Sequence, residues 1–243
     1  AAPHAAGRAG WATDARPSVS ALVSTHRPGQ LDHVRRTVGA QRDADVQLAL
    51  LTHGFAVDEA DVRLRAKEAG VEDLVLLTAG EDVPLGECLN RLVAASDGDV
   101  VAKMDDDDLY GEHYLSDQLD ALAYSDADVV GKQAHYLYVA SLDATLLRFA
   151  EREHRYTDFV MGPTIVATRG LAERVPFASV GRGEDTGFLR SAIDAGARVF
   201  SADRYNFVQV RAGAAHTWDV SDAELLASGE VQFYGRADRH ALI

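Results

Sequence analysis

An α/β fold with a mostly parallel sheet flanked by helices is the architecture this sequence predicts. The prediction rests on three observations. Short β-branched or leucine-rich runs recur at residues 18–25, 46–51, 74–77 and 100–104. Stretches with apolar residues at helical spacing separate them, and strands joined through helices of that length pair in parallel with right-handed crossovers. The fourth run then delivers four consecutive carboxylates, Asp105-Asp106-Asp107-Asp108, at the carboxyl end of a strand, where open α/β sheets bind ligands.

The elements follow in order. Residues 1–17 are rich in Ala and Gly, lack periodicity and read as a flexible tail or linker. The first strand, 18–25, is broken by His26-Arg27-Pro28-Gly29, and Leu31, Val34 and Val38 then mark a helix over 30–41. A second strand runs into the turn Thr52-His53-Gly54. A charged helix over 58–69 is closed by Gly70 at the position past its last turn. A third strand precedes a helix over 84–95, with Pro84 at its start and Leu85, Cys88, Leu89 and Leu92 on one face. The second half is less regular. A helix is expected over 112–123 and a strand over 128–132. Stretches 136–139, 145–149 and 159–167 are β-rich and read as a mixed extension of the sheet, the last interrupted at Gly162-Pro163. A loop, 181–185, leads to a helix over 186–195 closed by Gly196, and short strands follow at 198–201 and 205–210. From Val220 the chain shows one helical piece and then little pattern, so 220–243 reads as a C-terminal extension of a domain spanning 18–219.

Bulk properties narrow the function. A chain of 243 residues with 47% hydrophobic content can bury a real core in one large α/β domain. A net charge of −14 argues against nucleic-acid binding through a broad basic face. It leaves room for a small phosphate-bearing substrate, because a bound cation supplies local positive charge. The lone Cys88 permits no internal disulfide and falls on an apolar helix face, as a small core residue would. No apolar run approaches the roughly 20 residues that cross a bilayer, and no secretory leader is visible. A soluble protein of a reducing, cytoplasmic compartment is expected. The chain opens without Met, as a piece of a longer protein would.

Four adjacent carboxylates repel one another, so such a run calls for a cation or a ligand that carries one. In extended backbone, alternate residues share a side, which sets Asp105 and Asp107 toward one crevice and Asp106 and Asp108 away from it. Hard oxygen ligands of this kind suit Mg²⁺ or Mn²⁺, ions that commonly carry substrate phosphates. A solvated acidic loop is the plain alternative, and the strand in front of the run weighs against it. Neither a Gly-x-Gly-x-x-Gly turn nor a Gly-Lys-Ser/Thr phosphate loop is present.

With these parts in this order the chain resembles the inverting, metal-dependent glycosyltransferases of family 2, which have the GT-A fold. Three stretches carry the resemblance, which spans roughly residues 18–218. Ser20 to Pro28 resembles the first strand and nucleotide loop; Lys103-Met104-Asp105-Asp106-Asp107-Asp108 resembles the strand-ending Asp-x-Asp motif; Gly183-Glu184-Asp185 before a helix resembles the acidic motif that supplies a base. The resemblance implies transfer of a sugar from a nucleoside-diphosphate sugar donor to the hydroxyl of a carbohydrate or other acceptor, with Mn²⁺ or Mg²⁺ on the diphosphate. It implies that Thr25, Arg27, Asp105 and Asp106 face the donor, that Asp107 and His216 hold the metal, and that Asp185 is the base with Glu184 beside it. Asp108 would support the run from behind. One departure stands out: the family's second strand usually ends in an acidic turn that reads the base, and here it ends Leu51-Thr52-His53-Gly54.

Each assignment has a structural alternative. Asp185 suits a helix N-cap, and Glu184 suits the positive end of a helix dipole. His216 is either a ligand or an ordinary histidine, with His26 and His53 weaker candidates. Trp218 stacks on a sugar or anchors the C-terminal segment, while Tyr110, Tyr114, Tyr136 and Tyr138 line an acceptor cleft or fill the core. Lys103, unusual in an apolar strand, pairs with the acids or reaches a phosphate, and Arg211 is a further phosphate candidate. Two other functions remain open: a nucleotidyltransferase, for which the usual basic Gly-rich loop is missing, and a non-catalytic carbohydrate-binding or scaffold module on the same fold.

Overall fold

The computed structural model describes residues 16–212 and 221–243. Its first half is a run of alternating strands and helices: β1 (Val19–Thr25), α1 (Leu31–Gly39), β2 (Val46–His53), α2 (Glu59–Glu68), β3 (Asp73–Ala79), α3 (Leu85–Ala95) and β4 (Val100–Lys103). The four strands pair in parallel in the order β3-β2-β1-β4. The chain therefore builds outward from β1 on one side and then crosses to its other side. The crevice at such a reversal opens beyond the carboxyl ends of β1 and β4.

Both faces of this sheet are covered, which is why its strands read as continuous apolar runs. Val34 and Val38 of α1 and Val62 and Ala66 of α2 pack on Ala21, Val23, Leu48 and Leu50. Cys88, Leu89 and Leu92 of α3 pack on Leu22, Ala49, Leu51 and Val101 from the opposite side. Each leucine so buried contributes about 2 kcal/mol through removal of apolar surface from water. Helix α2 begins with the Asp58 side chain accepting from the backbone amides of Ala60 and Asp61. It ends as the sequence predicts: Gly70, at φ +90°, sends its amide to Lys67, and Val71 donates to Ala66.

The second half comprises β5 (Leu109–Tyr110), α4 (Tyr114–Ser125), β6 (Val129–Gly131), β7 (His135–Val139), β8 (Ala144–Arg148), β9 (Arg155–Thr157), β10 (Val166–Thr168), α5 (Arg169–Arg174), α6 (Glu184–Asp194), β11 (Val199–Ser201), β12 (Phe207–Arg211), α7 (Asp222–Ala227), β13 (Glu230–Tyr234) and α8 (Asp238–Ala241). Strand β10 lies antiparallel between β4 and β6, and β11 and β9 complete the large sheet. A second sheet has the order β13-β8-β7-β12-β5. The mixed second half expected from the sequence is thus present.

Several boundaries differ from the sequence expectation. The stretch 159–167 is mostly not a strand. It contains a tight 3₁₀ turn, Gly162–Thr164, and only its end joins β10. The helix after Gly183 starts at Glu184, two residues early, because Gly183 takes φ +80° and serves as the capping residue itself. Strand β13 lies where no pattern was visible, and it pairs with β8 across a bulge. Cys88 is a buried, free thiol. No helix among the described residues is long and apolar enough to cross a membrane.

Candidate active site

Thr25 ends β1, and the acidic run begins two residues after Lys103, the last residue of β4, so both stand at the mouth of the β1/β4 crevice. The run has left the sheet and turns toward β5, yet its burial still alternates. The side chains of Asp105 and Asp107 are 40% and 20% exposed, against 4% for Asp106, and Asp108 is also buried. Asp105 and Asp107 are therefore the two less buried carboxylates of the run, in a turn and not in a strand.

Each carboxylate has a distinct partner. Asp106 accepts from the Thr25 hydroxyl and from Nε of Arg27 at 3.1 Å, with a second, shorter bond from the same guanidinium. Arg27 Nη1 reaches across to Asp107 Oδ2 at 2.8 Å. Burial opposes the charge on Arg27, but the bonds to Asp106 and Asp107 outweigh it and raise its pKa. The Thr25 hydroxyl also accepts the Arg27 amide at 3.0 Å. Asp106 is thus the inner anchor of the β1 loop, and Asp107 shares that loop's guanidinium at the surface.

Asp108 turns inward. It accepts the Val210 amide of β12 at 2.8 Å, and burial followed by the repulsion of Asp105 and Asp107 pushes its pKa well up. The Asp105 amide donates to the Tyr110 hydroxyl at 2.8 Å, which in turn donates to the Pro163 carbonyl at 3.0 Å. Tyr110 and Tyr114 stack edge to face at 4.8 Å inside the core. They belong to packing, as does buried Tyr136.

Asp185 comes to the same place from 80 residues downstream. It sits in the first turn of α6, and its carboxylate lies against Gly162, where a Cβ would collide with it. Lys103, buried at the end of β4, holds Asp105 Oδ1 at 2.6 Å and faces Asp185 Oδ1 at 3.5 Å. Burial opposes the Lys103 charge, but Asp105 and then Asp185 prevail and raise its pKa. Burial raises the Asp185 pKa, and Lys103 pulls it back. Glu184 is buried beside it and is pushed up to about 7, first by burial and then by Asp185.

The structure thus brings together Thr25, Arg27, Asp105, Asp106, Asp107, Glu184 and Asp185. His216 and Trp218 lie outside the described residues. His26 is exposed and His53 half-buried at the end of β2. Sequence reasoning singled out Tyr110 and Gly162 but missed what they do: the Tyr110 hydroxyl accepts the Asp105 amide, and Gly162 faces the Asp185 carboxylate. The Gly162-Pro163 break was the available signal for the second. A separate groove between α1 and α2 is lined by Pro28, Leu31, Val57 and Asp61, and its arginines are paired, Arg35 with Asp32 and Arg65 with Asp61.

Among the described residues no group of three or more His, Cys, Asp or Glu side chains forms a metal-binding cluster. The donor set nonetheless fits a hard cation that takes most of its ligands elsewhere: a partly exposed Asp107 carboxylate, two residues from a partly exposed Asp105. Mg²⁺ in particular keeps waters and binds through one or two carboxylates plus substrate phosphates.

No family model matches the chain, and no curated protein matches it. Its fold is that of known glycosyltransferases. An S. aureus TarS structure in complex with UDP-GlcNAc superposes with a TM-score of 0.64 at 14% identity, covering 87% of this chain and 64% of that one. The mannosyltransferase PcManGT from Pyrobaculum calidifontis, in complex with GDP-Man and Mn²⁺, gives a TM-score of 0.61 at 17% identity, covering 84% of this chain and 59% of that one. The chain spans less than two thirds of the length of either.

Proposed function

We propose that the protein is a glycosyltransferase that moves a sugar from a nucleoside-diphosphate sugar to an acceptor hydroxyl with inversion. The observation that carries this reading is the meeting of two acidic groups from distant sequence at one switch-point crevice: Asp105 and Asp107 after β4, and Asp185 at the start of α6. The fold shared with TarS and PcManGT, solved with UDP-GlcNAc and with GDP-Man and Mn²⁺, supports it.

In this reading Thr25, Arg27 and Asp105 contact the donor. Asp106 keeps Thr25 and Arg27 in place. Asp107, with His216 from the segment outside the described residues, holds Mn²⁺ or Mg²⁺ on the diphosphate. The ion, when bound, acts as a Lewis acid that stabilises the charge gathering on the leaving diphosphate. Arg27, already at Asp107, adds a second positive charge at the same end of the crevice. Asp185 takes the proton from the acceptor hydroxyl as general base. Attack from the face opposite the leaving group inverts the anomeric centre in a single displacement. Glu184, neutral over more of the pH range than an ordinary carboxyl, avoids placing a second charge against that base.

The test is turnover. The protein is incubated with UDP- and GDP-sugars, Mn²⁺ and a panel of hydroxyl acceptors, and nucleoside diphosphate release and glycosylated product are followed by mass spectrometry. Release with product, suppressed by chelation and by Asp185→Asn, is expected. Product that persists at the wild-type rate in Asp185→Asn would remove the assignment of the base.

A further inference from the structure

A lysine buried at the end of a core strand is costly unless it is paired. Lys103 is paired twice, and its partners belong to different parts of the site. Asp105 follows it by two residues on the donor side, 2.6 Å from its ammonium. Asp185 comes from α6, 3.5 Å away. The backbone around Lys103 is fixed as well: its amide donates to the Ile165 carbonyl at 2.8 Å. The same strip of chain, 162–165, carries Gly162 against the Asp185 carboxylate and Pro163 against the Tyr110 hydroxyl that holds the Asp105 amide. Two routes, one ionic and one through Tyr110 and the Gly162–Thr164 turn, therefore join Asp105 to Asp185. Only the ionic route touches both carboxylates.

We propose that Lys103 is a positioning residue that fixes the Asp185 carboxylate relative to Asp105, so that the proton-accepting group stands at a set distance from the donor. This rests on the transferase reading above. Lys103 does not touch the reacting atoms in this account. It acts through Asp185, and its removal costs turnover and leaves donor binding in place. A purely structural counter-ion would instead lower stability and leave the kinetics of the folded fraction unchanged. A phosphate-binding lysine would weaken the donor complex.

The experiment is a kinetic double-mutant cycle on the full chain, with Lys103→Met, Asp185→Asn, the double variant and Lys103→Arg. Folded fraction is checked by melting temperature, and affinity for UDP and GDP with Mn²⁺ is measured by calorimetry. Lys103→Met is expected to lower kcat about 10²-fold, the scale of an ångström misplacement of a catalytic group, with diphosphate affinity changed less than about threefold. The double variant is expected to be no slower than Asp185→Asn alone, because both changes disable one unit. Lys103→Arg keeps the charge and is expected to recover part of kcat; it also serves if the methionine variant does not fold. Additive losses in the cycle, or a weakened diphosphate complex with unchanged kcat, would overturn the role of Lys103 while leaving the transferase reading intact. Absence of wild-type turnover with every donor would overturn that reading first, and this proposal with it.

Discussion

Glycine 162 offers the sharpest probe of the proposed base. It has no Cβ, and the space a Cβ would need is filled by the Asp185 carboxylate. The three atoms nearest to that position all belong to Asp185, and the residue is absent from the positive-φ set, so alanine fits its backbone. Gly162→Ala is therefore a steric push aimed first at the Asp185 side chain. The carboxylate must retreat by about 2 Å to reach ordinary van der Waals distance, and misplacement of even about 1 Å lowers catalysis about 10²-fold. Lys103 would lose part of its contact with Asp185 in the same movement. The assay is steady-state kinetics beside calorimetric binding of the nucleoside diphosphate. A hundredfold drop in kcat with near-normal diphosphate affinity is expected. Wild-type kcat in a correctly folded Gly162→Ala protein would refute the reasoning, because the base could then not be the group pressed against that glycine.

Other consequences follow from the same geometry. Asp106→Ala strips Thr25 and Arg27 of their shared buried acceptor, and a loss of about 2–3 kcal/mol in urea denaturation is expected. Arg27→Gln is expected to weaken nucleoside diphosphate binding about tenfold, the scale of one charged hydrogen bond, read by calorimetry. Glu184 has a folded-state pKa of about 7 against an ordinary 4.5. The folded protein holds that proton more tightly, so the stabilisation is complete below pH 4.5 and is lost as pH rises through about 7. Glu184→Gln keeps a neutral side chain throughout, and its stability relative to wild type should climb by up to about 3 kcal/mol across that window. A pH-independent difference between the two in chemical denaturation would contradict this.

Much of the fold was legible because it is written in local pattern. β1, β2 and β4 are buried on both faces, so their apolar runs are continuous. Gly70 and Gly196 mark helix ends because the left-handed position there favours glycine. β13 was not legible: four of its five residues are exposed, and what makes it a strand is its pairing with β8 some 80 residues earlier in the chain. The start of α6 was misjudged because the sequence places two acids after Gly183 without saying which residue caps. The acids themselves could be singled out, but their division of labour could not. Asp106 is an anchor because Thr25 and Arg27, about 80 residues away, close on it. Lys103 was ambiguous between acid and phosphate for the same reason, since Asp185 reaches it only in the folded chain. His216 lies in a stretch outside the described residues, and its part in the site is a proposal from resemblance.

The most direct test of the central claim is calorimetric binding of UDP and GDP to the wild-type protein and to an Asp105→Asn/Asp107→Asn variant, each with Mn²⁺ and with chelator. The account predicts that one diphosphate binds the wild type, that chelation weakens it at least about tenfold, and that the double variant binds no better with the ion than without it. Diphosphate binding of equal strength in the variant, or binding indifferent to the ion, would contradict the claim that the carboxylates after β4 form a cation-assisted donor site.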